Sequence, residues 1–212
     1  TRLAILSRWL GDVYKRQVLH PSAFRQQRYL KAADGSKIFL PSLNGEKLKN
    51  AGILPVESKD PHSLLDDTLL FLGQVPKKTD FETGDPRLCY DAQGESHRDP
   101  IEDDTAVIAH VKGKGLVILS GCAHAGIVNT VKYAQETTGV DMIYAVMGGF
   151  HLTGAVNEPA IGPTIAALKE LNPGYIVPTH CTGRKATMLI EKEMPEKFLL
   201  NMSGTKMIFA TQ

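Results

Sequence analysis

Cys122 and His124 stand two residues apart in "ILSGCAHAGIVNT", residues 118–130, walled in by Gly121, Ala123, Ala125 and Gly126. Imidazole nitrogens are the commonest metal ligands in proteins, and a Cys thiolate binds Zn²⁺ well. Small flanking residues let the backbone turn sharply and leave room for a cation and its water. Two later turns repeat the arrangement: "VMGGFHL" carries His151 and "VPTHCTG" carries His180. Each of the three turns follows an apolar run of the kind that forms a buried strand. Ligand sites in α/β sheets gather at the carboxyl ends of strands, where loops converge. Each residue also has a plainer role. A buried Cys is usually a small hydrophobe, and a single His after a strand is usually a satisfied hydrogen-bonding residue. Three such coincidences in series favour a shared site. The other four histidines do not follow the pattern. His20, His62 and His97 fall in loops or in segments of uncertain structure, and His110 sits inside a strand as a surface residue.

Two more segments carry polar groups suited to the same chemistry. "IEDDT" (101–105) precedes a strand; it is either a solvated turn or a source of a carboxylate, Asp104 ahead of Asp103, that orients a ligand histidine or the substrate. "HCTGRKA" puts Thr182, Gly183, Arg184 and Lys185 at a helix start, where backbone N–H groups and two cations suit a phosphate. An Arg-Lys pair on a solvated helix is the alternative.

Positioning these residues requires alternating strands and helices over 101–212. The runs 105–111 and 115–120 predict a hairpin across "KGKG". A helix should follow Gly126, with Ile127, Val131, Ala134 and Thr138 at helical spacing and Gly139 just past its end. Residues 142–147 read as a buried strand, 158–171 as a helix with Pro163 in its first turn, and 175–180 as a strand. A further helix over 186–194 and a closing strand over 206–210 complete an α/β pattern. Residues 18–100 are less regular. "PSAFRQQRYL" suggests a helix, "SKIFLPSL" and "DTLLFLGQV" suggest strands, and the segments between them are rich in turn formers.

Composition sets the class. The 212 residues are 42% hydrophobic and 22% charged, with a net charge of +1, as in an ordinary globular protein that has no affinity for nucleic acid or an acidic membrane. No apolar run is long enough to cross a bilayer. Three cysteines are too few for a disulfide framework, which points to a reducing, cytoplasmic setting. "GDVYKRQ" (11–17) looks foreign to the rest, so residues 1–17 are expected to be a non-native leader and 18–212 the domain proper.

"DDTAVIAHVKGKGLVILSGCAHAGIVNTVKYA", "GGFHLTGA" and "VPTHCTG" together resemble the C-terminal part of the metallo-β-lactamase-fold family. The likeness is to the branch of 7,8-dihydropterin-6-methyl-4-(β-D-ribofuranosyl)-aminobenzene-5′-phosphate synthases in particular. "LHPSAF…RY" and "LGQVPKKTDFE" extend it over most of 18–212, with a lysine pair where an Arg is expected. The resemblance implies an αββα sandwich holding one or two divalent cations, most often Zn²⁺, with Mn, Fe or Mg as alternatives. It implies His124 as the first-choice ligand of its turn with Cys122 second, and His180 as a ligand. His151 would be a substrate contact ahead of a ligand, and Gly149 part of a substrate-pocket turn. The family's His-x-His-x-Asp-His motif does not occur in this sequence. The chain is therefore expected to be an N-terminally truncated domain that binds metal weakly and has little activity. The implied reaction is metal-assisted hydrolysis or transfer on a phosphorylated small molecule of the pterin or ribofuranosyl-phosphate class. A metal-free Cys/His hydrolase and a non-catalytic remnant are the alternatives.

Overall fold

The computed structural model describes residues 16–210. They form two compact units, one of the residues up to Lys59 with Pro86–Asp103, the other of Asp60–Asp85 with the chain from Asp104 onward. The leader expected over 1–17 lies outside the described residues except for Arg16 and Gln17.

The first unit contains β1 (Arg16–Leu19), β2 (Arg28–Lys31), β3 (Lys37–Phe39), α1 (Gly45–Asn50) and β4 (Leu54–Glu57). β1 and β4 pair in parallel, with Arg16 and Gln17 opposite Leu54 and Pro55. β2 and β3 join β7 (Leu88–Ala92) and β8 (Glu95–Arg98) in an antiparallel sheet of order β3-β2-β7-β8. The helix expected over "PSAFRQQRYL" is instead a 3₁₀ turn at Pro21–Phe24 followed by β2. Two local causes stop a helix. Nδ1 of His20 caps the turn by accepting from the Ser22 N–H at 3.1 Å, and Gln27 takes a left-handed φ of 54°. Leaving the helix also suits the arginines. Arg28 forks onto both oxygens of Asp103 at 2.6 and 2.7 Å, and its Nε meets Asp99 at 2.7 Å. Arg25 holds Asp99 and Glu102 at 2.7 and 2.8 Å. Asp103, one of the two acidic candidates of "IEDDT", is thus committed to an ion-pair network. Burial pushes its carboxyl up, and the Arg28 hydrogen bond and charge outweigh that and hold it below the ordinary carboxylate range.

The second unit carries β5 (His62–Leu64), β6 (Leu69–Phe71), β9 (Ala106–Val111), β10 (Gly115–Ser120), α2 (Ile127–Thr138), β11 (Ile143–Gly148), α3 (Ile161–Leu171), β12 (Tyr175–Pro178) and α4 (Arg184–Glu193). Its sheet has the order β12-β11-β10-β9-β6-β5. β9 and β10 form the expected antiparallel hairpin. β10, β11 and β12 run parallel as immediate neighbours. Central parallel strands are covered on both faces and so read as unbroken apolar runs. β10 fits this, with Leu116 and Ile118 fully buried. Each helix buries one stripe: Ile127, Val128, Val131 and Ala134 in α2, Ile161, Ile165 and Leu168 in α3, Ala186 and Ile190 in α4. Gly139 and Asn172 end α2 and α3 in left-handed conformations, each N–H bonding back to a carbonyl of the last turn.

The strand expected over 206–210 is absent. No neighbouring strand pairs with residues 206–210 among the described residues: Ile208 is 75% exposed, while the Phe209 ring packs edge-on against Tyr144 at 5.4 Å. The free edge of β12 is covered by residues 197–199 instead: Ile176 exchanges backbone hydrogen bonds with Lys197 and Leu199.

Candidate metal and nucleophile site at three strand ends

Because β10, β11 and β12 are parallel neighbours, the turns after them open side by side. Two backbone bonds prolong the pairing past the strands, Gly149 N–H to Gly121 O and Thr179 N–H to Gly148 O, both 2.8 Å. Glycine is needed in the middle turn. A Cβ on Gly148 would lie 2.2 Å from Ser120 O, and one on Gly149 would lie 2.4 Å from Cys181 Sγ and 2.7 Å from His180 Nε2. The small residues of these turns allow their functional side chains to meet.

Those that meet are Cys122, His180 and Cys181. Their ligand atoms all lie within 4.8 Å of one another. Cys122 Sγ is 3.2 Å from His180 Nε2, and the other ring nitrogen, Nδ1, is 2.9 Å from Thr179 Oγ1. Cys181 Sγ donates to the Cys122 carbonyl at 3.5 Å. Burial pushes the Cys181 thiol up to about 11, with the nearby Cys122 adding to the rise and the His151 N–H opposing it. Tetrahedral Zn²⁺ with S and N ligands at ~2.0–2.3 Å sets neighbouring donors about 3.5–4 Å apart. The three donors therefore fit such a cation after small side-chain rotations. Two sulfurs and one imidazole are a donor set suited to borderline-soft metals.

His124, from the same turn as Cys122, and His151, from the turn after β11, form a second group. The rings of His124 and His151 lie 4.1 Å apart, tilted by 49°. Among the described residues, Cys122, His180 and Cys181 are the group close enough to share an ion. His151 and Ala123, beside His124, both hold left-handed φ angles, 46° and 53°. Such angles cost non-glycine residues ~1–3 kcal/mol and persist only where surrounding structure enforces them.

Enforcement comes from buried polar groups behind the turn. Asp104 Oδ2 accepts from the Ala125 N–H at 2.9 Å, which fixes the residue after His124. Gly126 gives α2 no side-chain cap, and Glu82 supplies one from far away in sequence, accepting from Val128 N–H and Asn129 N–H at 2.9 Å each. A Cβ on Gly126 would strike that carboxylate at 2.2 Å. Asn129 completes the clamp: its Oδ1 accepts from Lys78 N–H and Thr79 N–H, and its Nδ2 donates to Ala125 O. Burial raises the Glu82 carboxyl above the ordinary range despite these donors.

The remaining candidates are spread along the third turn. Thr182 is fully buried, and its hydroxyl accepts from Phe150 N–H at 3.1 Å, which braces the His151 turn. Gly183 has φ 78°, and a Cβ there would meet Thr153 at 2.7 Å. Arg184 is exposed at the first turn of α4, whereas Lys185 is engaged by Glu158 at 2.5 Å. Sequence reading overlooked Cys181, Glu82 and Asn129. Cys181 carried a signal: it adjoins His180 in a glycine-bounded turn, and a 3₁₀ turn over His180–Thr182 brings its sulfur round to the same side.

The fold and these strand ends can be set beside known proteins. The chain overlays on the crystal structure of a metal-dependent hydrolase of the β-lactamase superfamily with a TM-score of 0.76 at 24% identity, covering 92% of this chain and 72% of that one. No family model matches the chain. The overlay shows that the chain has the metallo-β-lactamase fold. In sequence it is similar to the 7,8-dihydropterin-6-methyl-4-(β-D-ribofuranosyl)-aminobenzene-5′-phosphate synthase of Methanocaldococcus jannaschii, 38% identical over 156 residues, 72% of this chain and 52% of that protein. An uncharacterized protein of the same organism is 33% identical over 139 residues, 66% of this chain and 48% of its own length. The chain thus spans about half the length of the curated relatives it matches.

Proposed function

We propose that the strand-end site belongs to a metal-dependent hydrolase or transferase acting on a phosphorylated small molecule of the pterin or ribofuranosyl-phosphate class. One observation carries this reading: three metal-competent donor atoms, from the turns after β10 and β12, lie within 4.8 Å of one another. The 38% identity to a synthase whose name includes a 5′-phosphate supports the substrate class. Cys122, His180 and Cys181 would hold the cation, with Zn²⁺ the best match to the donors. A divalent cation there supplies a Lewis acid that polarises the bond under attack and lowers the pKa of a water to ~7. His124 and His151 would face the substrate and exchange protons with it, and Asp104 positions His124 through Ala125. Arg184 and the first N–H groups of α4 would receive the phosphate. The test is a thermal-shift screen of phosphorylated pterins and sugar phosphates with and without Zn²⁺. Stabilisation that requires both cation and phosphate is expected, and phosphate binding that ignores the cation would refute the reading.

A second reading has its own observation. Cys122 Sγ, His180 and Thr179 form a nucleophile, base and orienting group at 3.2 and 2.9 Å. If that pair does the chemistry without metal, iodoacetamide abolishes activity and a chelator leaves it untouched.

A further inference from the structure

We propose that Cys122 and Cys181 are a redox-active dithiol that closes into a disulfide and thereby switches off cation binding. The proposal rests on the cation-site reading above for its consequence, but not for its chemistry. Three observations carry it. The two Sγ atoms lie within 4.8 Å of each other. Cys181 Sγ points at the backbone of Cys122, 3.5 Å from its carbonyl oxygen, although the residues are 59 positions apart in sequence. Gly149 leaves Cys181 Sγ room to move, since a Cβ there would lie 2.4 Å from it. Side-chain rotation about Cα–Cβ closes the remaining gap toward the ~2.05 Å of an S–S bond.

His180 is placed to start the exchange, its Nε2 3.2 Å from Cys122 Sγ and so able to take the thiol proton. The oxidant is a low-molecular-weight disulfide such as oxidised glutathione. The Cys122 thiolate attacks one of its sulfurs, forming a mixed disulfide and releasing one small thiol. Cys181 then attacks Cys122 Sγ, forming the intramolecular S–S bond and expelling the second. Two protein thiols are oxidised, one disulfide is reduced to two thiols, and the two protein protons leave on them. The closed pair offers no thiolate, so two of the three donors for a cation are gone.

The experiment incubates the full chain with oxidised glutathione, then counts thiols after denaturation and maps peptides without reduction. Of three cysteines, only Cys89 should remain a thiol, with a 122–181 cross-link in a monomer that dithiothreitol reverses. Cys181→Ser should leave a mixed glutathione disulfide at Cys122, and Cys122→Ser should leave Cys181 largely a thiol; neither variant cross-links within the chain. Zn²⁺ added beforehand should slow the oxidation of the unmodified chain. Intact thiols at 122 and 181, separate glutathione adducts on both, or cross-links only between chains would overturn the proposal. A chain that oxidises as described yet takes up no cation when reduced would sink the cation site and leave the dithiol standing. A chain that binds cation but never cross-links does the reverse.

Discussion

Gly149 is the residue on which the proximity of the three donors depends. The glycines in this turn are there for space, and at Gly149 the space belongs to Cys181 and His180. Gly149→Ala should therefore weaken Zn²⁺ binding at least tenfold while costing ~1–3 kcal/mol of stability by overpacking; competition with a chromophoric chelator reads the first and urea denaturation the second. Affinity unchanged by the alanine would mean that the donors do not meet as described. At this scale the sequence was informative about type and less so about pairing. Cys122, His151 and His180 stood out because each follows a strand in a small-residue turn. That Cys181 comes to lie beside Cys122 depends on the direction of a 3₁₀ turn, which no spacing rule conveys.

The start of α2 shows how an element is fixed by groups remote in sequence. Glu82 and Asn129 lie in "KKTDFE" and "GIVNT", two segments that looked unrelated, and together they hold the turn that carries Cys122 and His124. Asn129→Ala leaves the part-buried N–H groups of Lys78 and Thr79 without their acceptor and should destabilise by ~1–3 kcal/mol. Glu82 makes the same joint sensitive to pH. Its carboxyl is raised above the ordinary 4.5 by burial, so the folded chain binds that proton more tightly than the unfolded one. Its contribution is fully present below the ordinary value and is lost as pH rises through the raised one. Glu82→Gln should flatten this fall, so that wild type loses stability relative to the variant between pH 4.5 and neutrality; parallel urea titrations across that range check it. The helices and strands from 105 onward were legible because apolar period and capping residues agree there. Residues 18–100 were not, because β2 and its neighbours are specified by long-range ion pairs such as Arg28 with Asp99 and Asp103. Past the last helix, "KMIFA" (206–210) misled, since it has the composition of a strand but pairs with none.

For the molecule as a whole, cation binding and stability are linked. A ligand that binds only the folded state adds ~2.7 kcal/mol at a hundred times its dissociation constant. Zn²⁺ should raise the melting temperature of the reduced chain, and a chelator should return it to the starting value. An unchanged melt on titration with Zn²⁺ would mean that the folded state offers no preformed site. The α/β class and the metallo-β-lactamase fold were readable from alternating elements and three spaced motifs. The gathering of three turns at one sheet edge follows from the parallel order β10-β11-β12, which motif spacing alone does not fix.

The most direct test is the metal content of the purified, reduced chain measured beside Cys122→Ala, His180→Ala and Cys181→Ala. The account predicts Zn²⁺ held, weakly, by wild type equilibrated with excess metal and its loss, with folding retained, in each variant. Stoichiometric tight metal in all three variants would contradict it.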